Sequence, residues 1–136
     1  MKRAVDYISK NDRLFKFLGA EVVDFAPGYA RLEMTVADKH LNAVGVCQGG
    51  VIFTLADLAF AVASNSYGEL VLAVNCDISY IKAAKLGDVL VAEAKEHNRG
   101  SRLSHYLVEV FNAATGEKVA LFKGVGYNLG KGFVED

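Results

Sequence analysis

Asp57 is the residue in this sequence best placed to do chemistry. It stands inside a stretch, residues 49–66 (GGVIFTLADLAFAVASNS), that is otherwise apolar or small on every side. Burying an ionised carboxylate without partners costs several kcal/mol of effective solvation, roughly, so such a residue needs a reason to be there. No Lys or Arg lies within helical reach, since the residues three and four away are Thr54, Phe53, Phe60 and Ala61. Two readings follow. Asp57 is either a structural group bonded to Thr54 or to backbone, or a general base or nucleophile whose pKa is raised by apolar surroundings. The spacing alone leaves both open.

The element that must carry Asp57 reads as a helix. Ala, Leu and Phe recur at helical spacing and no proline interrupts them. A helix that is apolar all round is buried or in a membrane, and residues 49–63 fall short of the roughly 20 needed to span a bilayer. The expectation is a helix wrapped by the rest of the fold. Before it, residues 5–17 carry Val5, Ile8, Leu14 and Phe15 in a loosely helical period, closed by Gly19. Residues 21–25 and 29–36 alternate as strands around a turn at Ala26-Pro27-Gly28. Residues 37–48 form an irregular connection. After the helix come four strand-like runs, 70–83, 88–97, 103–112 and 118–129, read as successive meander turns. The predicted fold is α+β, a curled antiparallel sheet of five to six strands around one long central helix. It forms a single domain over residues 1–136, with residues 1–17 as an N-terminal helical segment.

Bulk composition narrows the function classes. Fifteen basic and sixteen acidic residues give a formal net charge of -1, which argues against nucleic-acid binding. The charged start, MKRAVDYISKND, has no apolar run, so neither a secretory signal nor a membrane span is expected. Cys47 and Cys76 show no paired spacing and are read as reduced thiols of a cytoplasmic protein. His40, His97 and His105 are scattered without metal-ligand spacing, and no metal is expected. Cys47 would need a base close by to act as a nucleophile. Tyr80 and Phe53 are more simply core than acyl-pocket residues.

The run Asn42, Gln48-Gly49-Gly50, then residues 51–61 (VIFTLADLAFA), together with residues 78–88 (ISYIKAAKLGD), resembles the hotdog-fold acyl-CoA thioesterases. The resemblance is nearest to their phenylacetate-degradation (PaaI-type) branch and extends from about Leu18 to Leu129. It implies that Asp57 is the catalytic carboxylate, acting as general base on water or as nucleophile on the thioester. It implies that Gly49 offers a backbone N–H to the thioester carbonyl, and that Asn42 helps hold the water or acyl group. The family commonly has His where this chain has Gln48. An amide donates and accepts hydrogen bonds but does not shuttle protons near neutral pH, so Gln48 is expected to orient only. A Ser or Thr that often contacts the carboxylate is here Ala73.

A thioester substrate adds two requirements. The oxyanion formed in hydrolysis suits the free N–H groups of a helix start, at Gly49. Anionic coenzyme A calls for basic residues at the mouth, and the candidates for holding it are Gly50, Lys82, Lys85, Arg99, Ser101 and Arg102, with residues 99–102 as the favoured cluster. Beyond its coenzyme A-bearing substrate, no cofactor is expected. Gly49 and Asp57 are eight residues apart, roughly 12 Å along one helix. Both must reach a single reacting centre, so Gly49 of one chain must face Asp57 of another, as in a two-fold dimer with antiparallel helices. The resemblance agrees, and extends the expectation to a homotetramer. Two other readings are a hydroxyacyl-thioester dehydratase or hydratase, disfavoured by Gln48, and a non-catalytic acyl-CoA binding module, which leaves Asp57 without a purpose.

Overall fold

The computed structural model describes residues 2–133. Two short helices open the chain, α1 (Lys2–Asn11) and α2 (Arg13–Leu18). Asp12 separates them and caps α2, its side chain accepting a hydrogen bond from the Phe15 N–H at 2.9 Å. Gly19 closes α2 in the left-handed conformation that only glycine adopts freely (φ 73°). Strands β1 (Glu21–Ala26) and β2 (Tyr29–Thr35) form the expected hairpin. A single 3-10 turn (Asp38–His40) and a loop lead into α3 (Gly49–Asn65). Then follow β3 (Glu69–Tyr80), β4 (Val89–Arg99), β5 (Leu103–Asn112) and β6 (Lys118–Gly132).

One antiparallel sheet of six strands results, in the order β1-β2-β4-β5-β6-β3. This corrects the expectation of successive meander turns after the helix. β3 is not beside β4. It runs along the far edge against β6, and residues 81–88 carry the chain back to the middle of the sheet. The reason is the helix. α3 crosses the concave face and delivers its end to the far edge, so the next strand starts there. The return passes beneath the start of α3, where the Cys47 N–H donates to the Ala84 carbonyl at 2.8 Å. β3 also ends sooner than the sequence suggested and β6 runs longer.

Inward-facing residues alternate along the strands and pack on α3. Ser104, Tyr106, Val108 and Val110 of β5 are buried, while Leu103, His105 and Leu107 face outward. Phe60 of α3 sits against Tyr106 and Phe122, with ring centroids 5.5 and 6.1 Å apart. Two glycines of β6 make room. A Cβ at Gly124 would meet the Phe60 ring at 3.0 Å, and one at Gly126 would meet Val71 Cγ1 at 2.5 Å.

The helix is not wrapped all round, as its composition implied. Ile52, Leu55, Ala56, Leu58, Ala59 and Phe60 are buried, but Gly50, Thr54, Asp57 and Ala61 form a stripe that the sheet leaves partly open. Spacings of three, four and seven put these four on one side of a helix. Asp57 is therefore half-buried rather than deep.

Gly126→Ala is expected to destabilise the fold by about 1–3 kcal/mol, because Val71 must move to admit the methyl group. Urea unfolding of the two proteins measures it. An unchanged midpoint would mean that the β3–β6 packing gives way freely.

Candidate active site

The site builds outward from Asp57. Thr54, its nearest candidate partner, donates its hydroxyl to the Gly50 carbonyl at 2.8 Å instead. Asp57 makes no hydrogen bond or ion pair with any described residue. The structural reading of this carboxylate therefore lacks its partners. Its pKa is raised above the usual aspartate value, first by desolvation and then by the charge of Asp12. Asp57 lies in a cleft of about 370 Å³ between α3, β3 and the N-terminal helices. Ile8, Asp12, Phe60, Leu72 and Phe133 share that cleft, and Ala73 is in it too, as the family position implied.

The start of α3 is prepared differently. A small hairpin, closed by the Leu41–Cys47 bridge, leads to it. The Asn42 Oδ1 braces this loop, accepting from the N–H groups of Val44 and Val46 at 3.1 Å each. Asn42 is thus first a loop-shaping residue, with its Nδ2 group unused by the described residues. His40 anchors the loop from behind. It is 1 % exposed, its Nδ1 accepts the Ala37 N–H at 2.9 Å, and burial pushes its pKa down, so the ring is neutral.

Gln48 is exposed and its side chain does not cap the helix. Its carbonyl accepts the N–H groups of Val51 and Ile52. The N–H groups of Gly49 and Gly50 precede these bonds and are the free donors of a helix start. The Tyr80 hydroxyl donates to the Gly49 carbonyl at 2.8 Å, and a Cβ at Gly49 would lie 3.1 Å from the Tyr80 ring. A side chain at Gly49 would thus crowd the Tyr80 ring, which would have to shift by a few tenths of an ångström. Tyr80 is not the core residue its aromatic type suggested: it is 52% exposed and lies over the start of α3. Its position at the end of the strand that feeds the return loop was the available signal.

The basic candidates separate into two groups. Lys82 and Lys85 lie on the return segment beside the start of α3, with Lys82 ion-paired to Glu117. Arg99, Ser101 and Arg102 lie beyond the other end of the helix. There Arg99 pairs with Glu69 at 3.0 Å and stacks 3.6 Å above the Tyr67 ring, and Arg102 bonds the Tyr127 hydroxyl at 3.0 Å. Residues 99–102 thus do not join Gly49 within one protomer, and both arginines are already engaged. Cys47 is buried with its thiol pKa pushed up to about 11, which removes the thiolate a nucleophile needs. Among the described residues no three His, Cys, Asp or Glu side chains come together as metal ligands. None of the described helices is long and apolar enough to cross a membrane.

A curled antiparallel sheet around one long helix, with an unpaired acid on the helix and open donors at its start, is the hotdog architecture. The chain belongs to the thioesterase superfamily, whose family model matches residues 44–119. A protein of Archaeoglobus fulgidus named as an esterase is 51% identical over 133 residues, covering 98% of this chain and 86% of that one. The acyl-coenzyme A thioesterase PaaI of Escherichia coli is 36% identical, covering 89% of this chain and 86% of its own. Its solved structure superposes with a TM-score of 0.93 over 96% of this chain and 94% of that one, at 34% identity. A Streptococcus mutans protein solved with acetyl CoA superposes at a TM-score of 0.79 over 82% of this chain and 90% of that one, at 31% identity.

Asp57→Asn is expected to lower kcat by roughly 10²- to 10⁴-fold while keeping the fold. For the wild type, kcat/KM should fall on the acid side with an apparent pKa above the ordinary 3.8. The sign for stability is opposite. A raised carboxylate pKa favours folding below 3.8 and loses that contribution as pH rises through the folded value. Asp57→Asn should therefore melt higher than wild type at neutral pH, the gain vanishing towards acid. A lower melting temperature at neutral pH would make the residue structural.

Gly49→Ala keeps the backbone N–H but displaces Tyr80, and is expected to slow turnover by about 10- to 100-fold. Adding Tyr80→Ala to it should restore part of the loss, read as a double-mutant cycle on kcat. Simple additivity would mean that the ring contact does not position the helix start.

Proposed function

We propose that this chain hydrolyses acyl-CoA thioesters, with Asp57 as general base and the start of α3 as oxyanion donor. The carrying observation is Asp57 itself, unpaired and desolvated on the wall of a largely apolar cleft. Asp57 takes a proton from water as the oxygen attacks the thioester carbon. The carbonyl oxygen gains the charge and accepts N–H bonds from Gly49 and Gly50. Collapse expels coenzyme A as its thiolate, which takes up the proton, and the free acid leaves. Asn42 and Gln48 orient water and acyl group. No cofactor is needed, and none of these steps uses a metal.

The two halves of this machinery lie on one helix, about 12 Å apart by helical rise, so they belong to different protomers at any one site. The open stripe of α3 supports this, because it contains both Gly50 and Asp57. The free edge of β3 continues it with Leu72 and Val74, 55% and 58% exposed. Pairing these edges about a two-fold axis would cover the stripe and make two equal sites. The outward face of β5 and β6 carries exposed Leu103, Leu107, Leu121 and Leu129, a surface on which two dimers can stack into a homotetramer. The placing of Lys82 and Lys85 beside the helix start favours them over residues 99–102 for the phosphates of coenzyme A. Free thiols at Cys47 and Cys76 agree with a cytoplasmic setting.

A hydratase or dehydratase reading has no observation in its favour. His40 is buried with one nitrogen engaged, and His97 and His105 lie on exposed strand positions away from Asp57. The similarity to PaaI, from a phenylacetic acid degradation operon, supports aromatic and short or medium acyl groups as substrates. Phenylacetyl-CoA and hexanoyl-CoA should be cleaved with kcat/KM at least about tenfold above palmitoyl-CoA, in a thiol-release assay.

Mixing separately inactive Asp57→Ala and Gly49→Val proteins tests the shared site. Exchange into mixed dimers regenerates one intact site in each, so activity should recover to about a quarter of wild type. No recovery, with exchange verified by mass, would place both residues in one chain's site.

A further inference from the structure

The cleft holding Asp57 contains a second carboxylate that the proposed reaction does not use. Asp12 lines another of its walls, from the junction of α1 and α2. No Lys, Arg or His is among the described residues around that cleft. The remainder of its lining is mainly apolar, with Ile8, Phe60, Leu70, Leu72 and Phe133 among the large side chains. Ile8, Asp12 and Phe133 all fall outside the span matched by the family model, residues 44–119.

We propose that Asp12 is a specificity residue that excludes acyl groups ending in a carboxylate and admits neutral ones. The inference rests on the reading of this cleft as the acyl pocket. An acyl chain whose thioester lies at Asp57 extends along apolar side chains. Its far end then meets a wall with a fixed negative charge and no compensating cation. A neutral end meets no like-charge repulsion there. A carboxylate end is desolvated beside a like charge, which is repulsive selection against the wrong substrate. The Asp12 carboxylate is held in place, because its Oδ1 accepts the Phe15 N–H at 2.9 Å as the cap of α2. The charge of Asp12 is also felt at Asp57, where it is the second cause of the raised pKa, so the two carboxylates share one electrostatic environment.

The test compares adipoyl-CoA with heptanoyl-CoA, a neutral counterpart of equal length carrying the same coenzyme A. The measured quantity is the ratio of their kcat/KM values. Wild type should disfavour adipoyl-CoA. Asp12→Asn and Asp12→Ser remove the charge, yet both side chains still cap a helix, so the fold should be kept. In both variants the ratio should rise about tenfold in favour of adipoyl-CoA. The wild-type bias should also shrink in high salt, as a charge effect does and a steric one does not. Equal use of the two substrates by wild type, or a ratio unmoved in both variants, would overturn the proposal while leaving thioesterase activity standing. Failure of wild type to cleave heptanoyl-CoA or any other acyl-CoA would overturn the activity as well.

Discussion

A single unpaired carboxylate sets the terms for this fold. Asp57 occupies a helix whose other side chains gain free energy by leaving water, while its own charge loses it. Full burial would neutralise the acid and full exposure would return it to ordinary behaviour. The sheet does neither. It covers the face of α3 bearing Leu55, Ala59 and Phe60 and stops short of the stripe bearing Gly50, Thr54, Asp57 and Ala61. The acid is left desolvated but reachable, with its pKa raised and no partner to quench it. That is the state a base working near neutral pH requires.

The same helix supplies the opposite kind of electrostatics at its start. Free N–H groups there carry partial positive charge, and no side chain caps them. Hydrogen bonds from other segments of the chain hold that end in place. Tyr80 lies on Gly49, the return segment bonds Cys47, and buried His40 steadies the loop before it. These contacts exist because β3 goes to the far edge and the chain must come back past the helix start. Topology and site are one arrangement.

Much of this was legible from local pattern. The Ala- and Leu-rich run with one acid gave α3 almost to its ends. The Pro27-Gly28 turn gave the first hairpin, and alternation gave β5 to the residue. The pairing of strands was not legible. Period-two alternation tells which face a residue occupies but not which strand lies beside it. So the pattern sets β3 next to β4, and it does not show that Arg99 and Arg102 lie beyond the opposite end of α3 from Gly49 within one protomer. The Asp12–Asp57 pair was equally invisible, since 44 intervening positions separate them in a chain where only the fold brings α1 and α2 over α3.

The amino-acid sequence by itself determined the chemistry on offer. It provided one acid in an apolar helix, a glycine pair at the head of that helix, and a spacing too long for both to act in one chain. Those are local facts, fixed by residue type and helical rise. Only the tertiary structure decided that the acid has no partner among the described residues, that Tyr80 lies against the glycine, and that an N-terminal carboxylate shares the cleft of Asp57. Each depends on which distant segments meet, and such meetings are set by the packing of the whole sheet around its helix.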